Sequence, residues 1–250
     1  MIEIFPLSEG AFTIDGSKEF VPFEKGSDEL NDRPTGSLLV EIKPFLVKAG
    51  DDVILFDTGL GKRLQNESLQ IHENIRQAGF DPAGVSHVIL SHLHKDHAGG
   101  LGERAVEGKQ LNFPNAKHYV HRKEWDYAME KGLPSYDPGD FSFLSSSANL
   151  NFIEGDEGSI TKMSVPVEFK IVGGHCPYHL AFWMKDGDQT VFYGGDVAPQ
   201  LGQMRRRVNA KYDHDGKRSM ELREEWWDRG QKEHWTFLFY HDIKTPIKEA

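Results

Sequence analysis

Cysteine is almost absent: Cys176 is the only one in 250 residues, which excludes an internal disulfide framework and any cysteine-rich zinc ribbon. Long apolar runs are missing too, and no stretch approaches the ~18 residues that span a bilayer as a helix, so no membrane partner is expected. The opening Met1-Ile2-Glu3-Ile4-Phe5-Pro6 lacks the basic and then apolar regions of a signal peptide, which makes the cytoplasm the expected location. Positive charge is in deficit, with 29 Lys and Arg against 39 Asp and Glu for a net charge of -10. Nucleic-acid backbones are bound by clustered Lys and Arg, so no nucleic-acid partner is expected. The one basic run, Arg205-Arg206-Arg207, reads as a solvated face. Repeats, low-complexity tracts and charged linkers are also lacking, so residues 1–250 read as one domain with one large core.

What is present alternates short β-type runs with turn signals. Leu38 to Val47, Val53 to Phe56, Val88 to Leu90 and Lys117 to Val120 read as strands, as do Val167 to Val172, His179 to Met184, Thr190 to Tyr193 and Trp235 to Tyr240. Helices are expected over Lys62 to Ala78, stopped by Gly79, and from about Lys217 to Gly230. This is an α/β pattern, with two sheets packed face to face and covered outside by helices. Two segments exceed such a scaffold and read as lids: the aromatic stretch Glu124 to Ser147 and the polar stretch Gln200 to Gly216. The adjacent Trp226 and Trp227 must face different ways on their helix. At least one is packed, and the other is available to the pocket rim or to a subunit contact, as in a homodimer.

The densest chemistry lies in Ser91-His92-Leu93-His94-Lys95-Asp96-His97-Ala98-Gly99-Gly100. If the strand at Val88 continues through His94, residues two apart share a face, so His92 and His94 converge while Leu93 turns into the core. The glycine pair lets the backbone turn and carry Asp96 and His97 to the other side of the same cavity. Neutral imidazole is the commonest metal ligand, and this set offers donors for two adjacent cations. The remaining donors must come from elsewhere, and three strand ends qualify: Gly173-Gly174-His175, Gly194-Gly195-Asp196 and Phe239-Tyr240-His241-Asp242. His72, His87, His118, His121, His214 and His234 sit in strand patterns, at a helix start or in polar surroundings and stay outside the site.

With Asp57 in Phe56-Asp57-Thr58-Gly59, the segment His92 to His97, His175, Asp196 and His241, the chain resembles the metallo-β-lactamase superfamily, whose five signatures occur here in order. The resemblance implies a four-layer αββα sandwich, two mixed β-sheets face to face flanked by helices. It implies one metal on His92, His94 and His175, a second on Asp96, His97 and His241, and Asp196 as the bridge. Nitrogen and oxygen donors without thiolate suit zinc first, and also Mn, Fe or Co. Asp57 is then expected to steer the ligand loop through hydrogen bonds, and His179 to be buried and hydrogen-bonded without binding metal. Two bridged ions would supply hydroxide for attack on a carbonyl or phosphoryl centre, with Asp96 as the proton relay.

Within the resemblance, the lactonase-like and phosphotriesterase-like branches fit best. Flavodiiron proteins carry Glu where this chain has His94, nucleases carry extra modules, and glyoxalase II enzymes carry a C-terminal helical domain. The expected activity is hydrolysis of an ester, lactone or related bond of a small molecule. The alternatives are a phosphotriester or phosphodiester hydrolase and a non-catalytic metal-binding regulator. Two departures bear on specificity: no tyrosine follows Asp196, and Tyr178 stands where a small residue is usual. Tyr178, Trp125, Phe141 and Phe143, with Phe20 and Phe23, are the candidates for an apolar substrate wall.

Overall fold

Apolar runs such as Val53-Ile54-Leu55-Phe56 have no polar face to offer water, so such strands must be covered on both sides. A computed structural model describes residues 1–103 and 110–250. Its first half contains β1 (Ile2–Pro6), β2 (Gly10–Ile14), β3 (Val21–Phe23), β4 (Leu38–Ile42), β5 (Phe45–Ala49), β6 (Asp52–Phe56), α1 (Gln70–Gln77), β7 (His87–Ile89), α2 (Lys95–Ala98), β8 (Lys117–His121) and α3 (Arg122–Lys131). There follow α4 (Pro138–Phe141), β9 (Leu150–Ile153), β10 (Glu157–Ile160), β11 (Val167–Ile171), β12 (Leu180–Asp186), β13 (Gln189–Tyr193), α5 (Leu201–Met204), α6 (Gly216–Glu233), β14 (Trp235–Leu238) and β15 (Ile247–Glu249).

Two six-stranded sheets run β1-β5-β6-β7-β8-β9 and β10-β11-β12-β13-β14-β15, with a small third sheet β3-β2-β4. Both large sheets are mixed: β6, β7, β8 and β9 pair in parallel, as do β13 and β14. The period of two sorts side chains into layers. Ile54 and Phe56 of β6 face Phe182 and Tyr193 of the other sheet in one core, while Leu55 turns outward to Ile71 and Ile75 of α1 and Trp125 of α3. Phe192 of β13 faces the opposite outer side, against Leu222 and Trp226 of α6. Three cores between four layers make the αββα sandwich expected from the sequence. Tilted and edge-on rings join the sheets, Phe56 to Phe182 and to Tyr193 both at 5.5 Å between centroids, and such pairs add roughly 0.5–1.5 kcal/mol each beyond burial.

The long helix α6 starts where Asp215 accepts a hydrogen bond from the Arg218 N–H at 2.9 Å, a side-chain N-cap. Its buried residues Ser219, Leu222, Arg223, Trp226 and Gly230 recur at three- and four-residue spacing. Gly230 permits the close approach, since a Cβ there would lie 2.2 Å from the Phe237 ring. Trp226 is buried, and Trp227 packs its ring on Phe237 under the Arg205 guanidinium. Among the described residues no helix is long and apolar enough to cross a membrane.

Four expectations change. Leu38 to Val47 is two strands in two sheets, β4 and β5, parted at Lys43-Pro44, where proline supplies no ladder donor. The helix expected from Lys62 begins only at Gln70, because the preceding segment folds back, with Gln70 N–H on Lys62 O at 2.9 Å. The strand before the histidine motif ends at Ile89 and does not reach His94, because the N–H groups of Ser91 and Leu93 are taken by the carboxylates of Asp57 (2.7 Å) and Glu124 (3.0 Å). Six strands, β1 to β3 and the later β9, β10 and β15, add to those expected.

His118, wholly buried on β8, is pushed down to a pKa of about 4 by burial. Its folded value lies below the ordinary 6.5, so the unfolded chain binds more protons in that window and stability falls as pH drops through it. The expected loss is on the order of 3 kcal/mol. Urea unfolding followed stepwise across this range should show it, and His118→Leu should flatten that part of the profile.

Candidate metal centre

Every donor singled out in the sequence lies just beyond a strand, at one rim of the sandwich: Asp57 after β6, the histidine motif after β7, His175 after β11, Asp196 after β13 and His241 after β14. The structure brings His92, His94 and His175 together as one group and Asp96, His97, Asp196 and His241 as another, with donor atoms within 4.8 Å of one another in each. All but His94 are buried. His94 Nδ1 and His175 Nε2 stand 3.0 Å apart. Asp196 turns Oδ1 to His97 and His241 (3.1 and 3.0 Å) and Oδ2 to His175 (3.3 Å).

The far side of four of the five rings is tied down. His97 Nδ1 donates to Asp57 Oδ2 at 2.8 Å, His175 Nδ1 to Asp213 Oδ1 at 2.8 Å and His241 Nδ1 to the Glu41 carbonyl at 2.8 Å. The Ser91 hydroxyl gives its proton to Asp57 Oδ2 (2.7 Å) and therefore accepts from His92 Nδ1 (3.0 Å). These bonds set the tautomer and leave four Nε2 atoms facing inward, the arrangement that tunes and orients metal-binding imidazoles. His92 Nε2, His97 Nε2 and Asp196 Oδ1 are buried without a hydrogen-bond partner. A buried polar atom left so costs about 1–3 kcal/mol, and cations between the two groups would satisfy all three.

Electrostatics point the same way. Burial and neighbouring imidazoles push His92 and His94 far below the ordinary range. Burial opposes charge on His97 and His241 as well, yet the facing carboxylates of Asp196 and Asp96 outweigh it and hold both above that range. Burial works against the Asp196 carboxylate, but His241, His97 and His175 hold it well below its usual value. Protons on His97 and His241 balance charge that divalent cations would balance instead, so binding releases protons. Cys176 is no donor here: its Sγ lies 3.6 Å from Glu124 Oε2, and burial and that carboxylate push the thiol up.

Asp57 has a left-handed backbone, φ 58°, which costs about 1–3 kcal/mol in a non-glycine residue and aims its carboxylate at the motif. His179 is wholly buried, and its Nε2 accepts the Asp196 N–H at 3.1 Å. Gly195 must be small for this contact, since a Cβ would lie 2.7 Å from the His179 ring. Sequence reading missed Glu124, Asp213 and Tyr240. Glu124, its pKa raised to about 7 by burial, holds the Leu93 N–H between two histidines. Tyr240 stacks on His97 at 4.1 Å and donates to the Asp96 carbonyl at 2.6 Å. None of the three sits in a recognisable spacing; only their burial reveals them.

A cavity of about 710 Å³ opens over the centre, lined by residues including His94, Asp96, His175, Asp196 and His241. Of the aromatics offered as a substrate wall, Phe20 lines it. Trp125 and Phe141 instead pack edge to face, 5.2 Å apart, in the outer core, and Phe143 lies against that core beside Gly102. Tyr178 meets Tyr127 at 5.8 Å, and Phe23 lines a separate depression.

The sequence profile described as the Metallo-beta-lactamase superfamily matches residues 42–235. The chain belongs to this superfamily. Among relatives of this metallo-beta-lactamase fold, the N-acyl homoserine lactonase AttM of Agrobacterium fabrum is 32% identical over 126 residues, 45% of this chain and 41% of that protein. Its namesake in Azorhizobium caulinodans is 31% identical over 154 residues, 56% of this chain and 47% of that one. The chain thus spans less than half the length of these two relatives. Over 99% of the chain, the backbone superposes on a probable metal-dependent hydrolase from Staphylococcus aureus with a TM-score of 0.78 at 20% identity, covering 92% of that chain. The dizinc quorum-quenching lactonase AidC gives 0.73 at 19% identity, over 99% of this chain and 90% of its own. At such identities the likeness speaks for the fold.

If Asp96, His97 and His241 hold a cation, Asp57→Asn should weaken its uptake by about 10- to 100-fold, because it replaces the carboxylate that orients His97. Competition against a chromogenic chelator measures this. Unchanged affinity would mean that Asp57 serves folding alone.

Proposed function

We propose that this chain, as one domain over residues 1–250, is a dinuclear metal-dependent hydrolase that cleaves an ester or lactone bond of a small molecule in the cytoplasm. The observation carrying this is Asp196: its two oxygens face different donor groups, at the floor of a cavity large enough for a small organic substrate. The AttM relatives, named as N-acyl homoserine lactonases, support a lactone. In this reading His92, His94 and His175 hold one cation, Asp96, His97 and His241 the other, and Asp196 both. Zinc is the first choice for such donors. Bound there, the two cations supply acidified water near neutral pH and positive charge for the substrate carbonyl oxygen.

The chain's own groups manage the proton and the substrate. Asp96 borders the cavity with its carbonyl pinned by Tyr240, so its carboxylate is held where the reacting bond must lie. It takes the proton that water loses as the new C–O bond forms, and returns it to the leaving oxygen as the old C–O bond breaks. Tyr212 supplies the phenol that is missing after Asp196. It lines the cavity, its ring 6.1 Å from that of His175, and Gln203 Nε2 donates to its hydroxyl at 2.9 Å. Burial pushes the phenol up to about 12, so it stays neutral, and its hydroxyl donates to Gln203 Oε1 at 3.2 Å, a bond it exchanges for one to a substrate oxygen in the cavity.

Metal-loaded protein should hydrolyse members of a chromogenic ester, lactone and phosphotriester panel, with esters and lactones preferred. Asp96→Asn, loaded with excess metal until elemental analysis finds two cations per chain, should lose about 10²-fold or more in kcat. Silence of the fully loaded protein across the panel would overturn the assignment, and an Asp96→Asn variant of full activity would remove Asp96 from it.

A further inference from the structure

The lining of the cavity above the centre is of two kinds. One part is apolar, Ile14 and Phe20 near the β2–β3 turn and Leu38, Leu39 and Val40 of β4. The other is basic, with lysines from three separate elements: Lys18 between β2 and β3, Lys95 at the start of α2 and Lys211 between α5 and α6. In a chain of net charge -10, acids are plentiful, and Lys25, Lys43, Lys123 and Lys170 each have a carboxylate within 4.0 Å. Among the described residues Lys18, Lys95 and Lys211 make no such ion pair.

Their placement is built. Lys95 Nζ donates to the Lys18 carbonyl at 3.0 Å, tying α2 to the β2–β3 turn. Lys18 itself has a left-handed backbone, φ 61°, a conformation that persists in a non-glycine residue only where the surroundings impose it. Lys95 directly follows His94 in the chain, so its bond to the Lys18 carbonyl sets this turn toward the metal end of the cavity. The acids on the lining are Asp96 and Asp196, both donors of the centre, and Asp15. Asp15 Oδ1 is engaged by the Ser17 N–H (2.9 Å) and hydroxyl (2.7 Å), so one exposed carboxylate stands against three ammonium groups. A cleft lined by one sign of charge gathers ligands of the opposite sign.

We propose, on the strength of the hydrolase assignment above, that the substrate carries a second, anionic group such as a carboxylate, held by Lys18, Lys95 and Lys211, while its apolar part lies along Leu38 to Val40. The preferred substrate is then an amphipathic anionic ester or lactone, in contrast to a neutral one.

Two measurements on metal-loaded protein test this. In the first, nitrophenyl hexanoate is compared with the nitrophenyl monoester of adipate, equal in chain length and differing in one carboxylate. The charged ester should have a roughly tenfold higher kcat/KM at low salt, and high salt should erase the gap. The double variant Lys18→Met/Lys211→Met should lose the gap while cleaving the neutral ester as before, and Lys18→Arg/Lys211→Arg should keep it. In the second, hexanoate and adipate are titrated calorimetrically, a readout independent of turnover. Adipate should bind roughly tenfold more tightly, and the Met variant should equalise the two. Preferential adipate binding by a protein that cleaves neither ester would uphold the anion wall and sink the hydrolase assignment. Equal handling of both pairs by an active enzyme, or a preference that survives in the Met variant, would overturn the anion wall alone.

Discussion

One buried carboxylate holds the two sheets and the centre in a single arrangement. Asp57, at the end of β6, accepts from the Ser91 N–H and hydroxyl, from His97 Nδ1 and from the Tyr193 hydroxyl of β13. Those four donors come from the second sheet and from the loop that carries the histidine motif, while Asp57 itself follows a strand of the first. A charge in a wholly buried position is tolerated only when its lone pairs are filled, so the carboxylate and its donors fix one another. The strained φ of Asp57 is the local consequence, since a relaxed backbone would aim the side chain away from Ser91 and His97.

The rest of the molecule serves to keep this rim dry and rigid. Strands buried on both faces bring their ends to a common level, and the three cores leave each strand little freedom to slide. Glu9 does for the loop after Asp57 what Glu124 does for the motif: its oxygens accept from the N–H groups of Leu60 (2.6 Å) and Lys62 (3.2 Å). Backbone donors that would otherwise extend a strand are thus spent on carboxylates, which is how an irregular loop can be buried without orphaned N–H groups.

The candidate donors were legible because imidazole and carboxylate spacing is a local pattern: His92, His94, Asp96 and His97 fall within six residues, and His175 and Asp196 each follow a glycine pair at a strand end. Asp213 and Glu124 were not, because each finds its partner through the fold, from a surface-like segment and a helix start that look ordinary in sequence. The division of Leu38 to Val47 between two sheets depends on partners far along the chain, and alternation alone cannot assign a run to one sheet or another. Trp125 and Phe141 show the same limit for the cavity. Aromatic content marks burial, and sequence does not say whether helices or a substrate provide the cover. Lys211 and Tyr212 line the cavity from the polar stretch Gln200 to Gly216 that stands out in the sequence, though nothing there says which of its side chains face inward, and Lys18 lines it from a turn that carries no such signal.

The parallel pairing of β13 with β14 bears on how this protein could diverge. Asp196 and His241 emerge from neighbouring parallel strands, so their separation is set by the spacing of the sheet, and the helical crossover between those strands packs outside it. Gln203, Lys211 and Tyr212 all belong to the stretch that precedes α6 within that crossover. Changes of composition between residues 201 and 212, which stop short of the Asp213 carboxylate that holds His175, would therefore redraw the chamber around a substrate while the donor geometry beneath it stayed in place, which makes them the natural changes when specificity is to be redesigned.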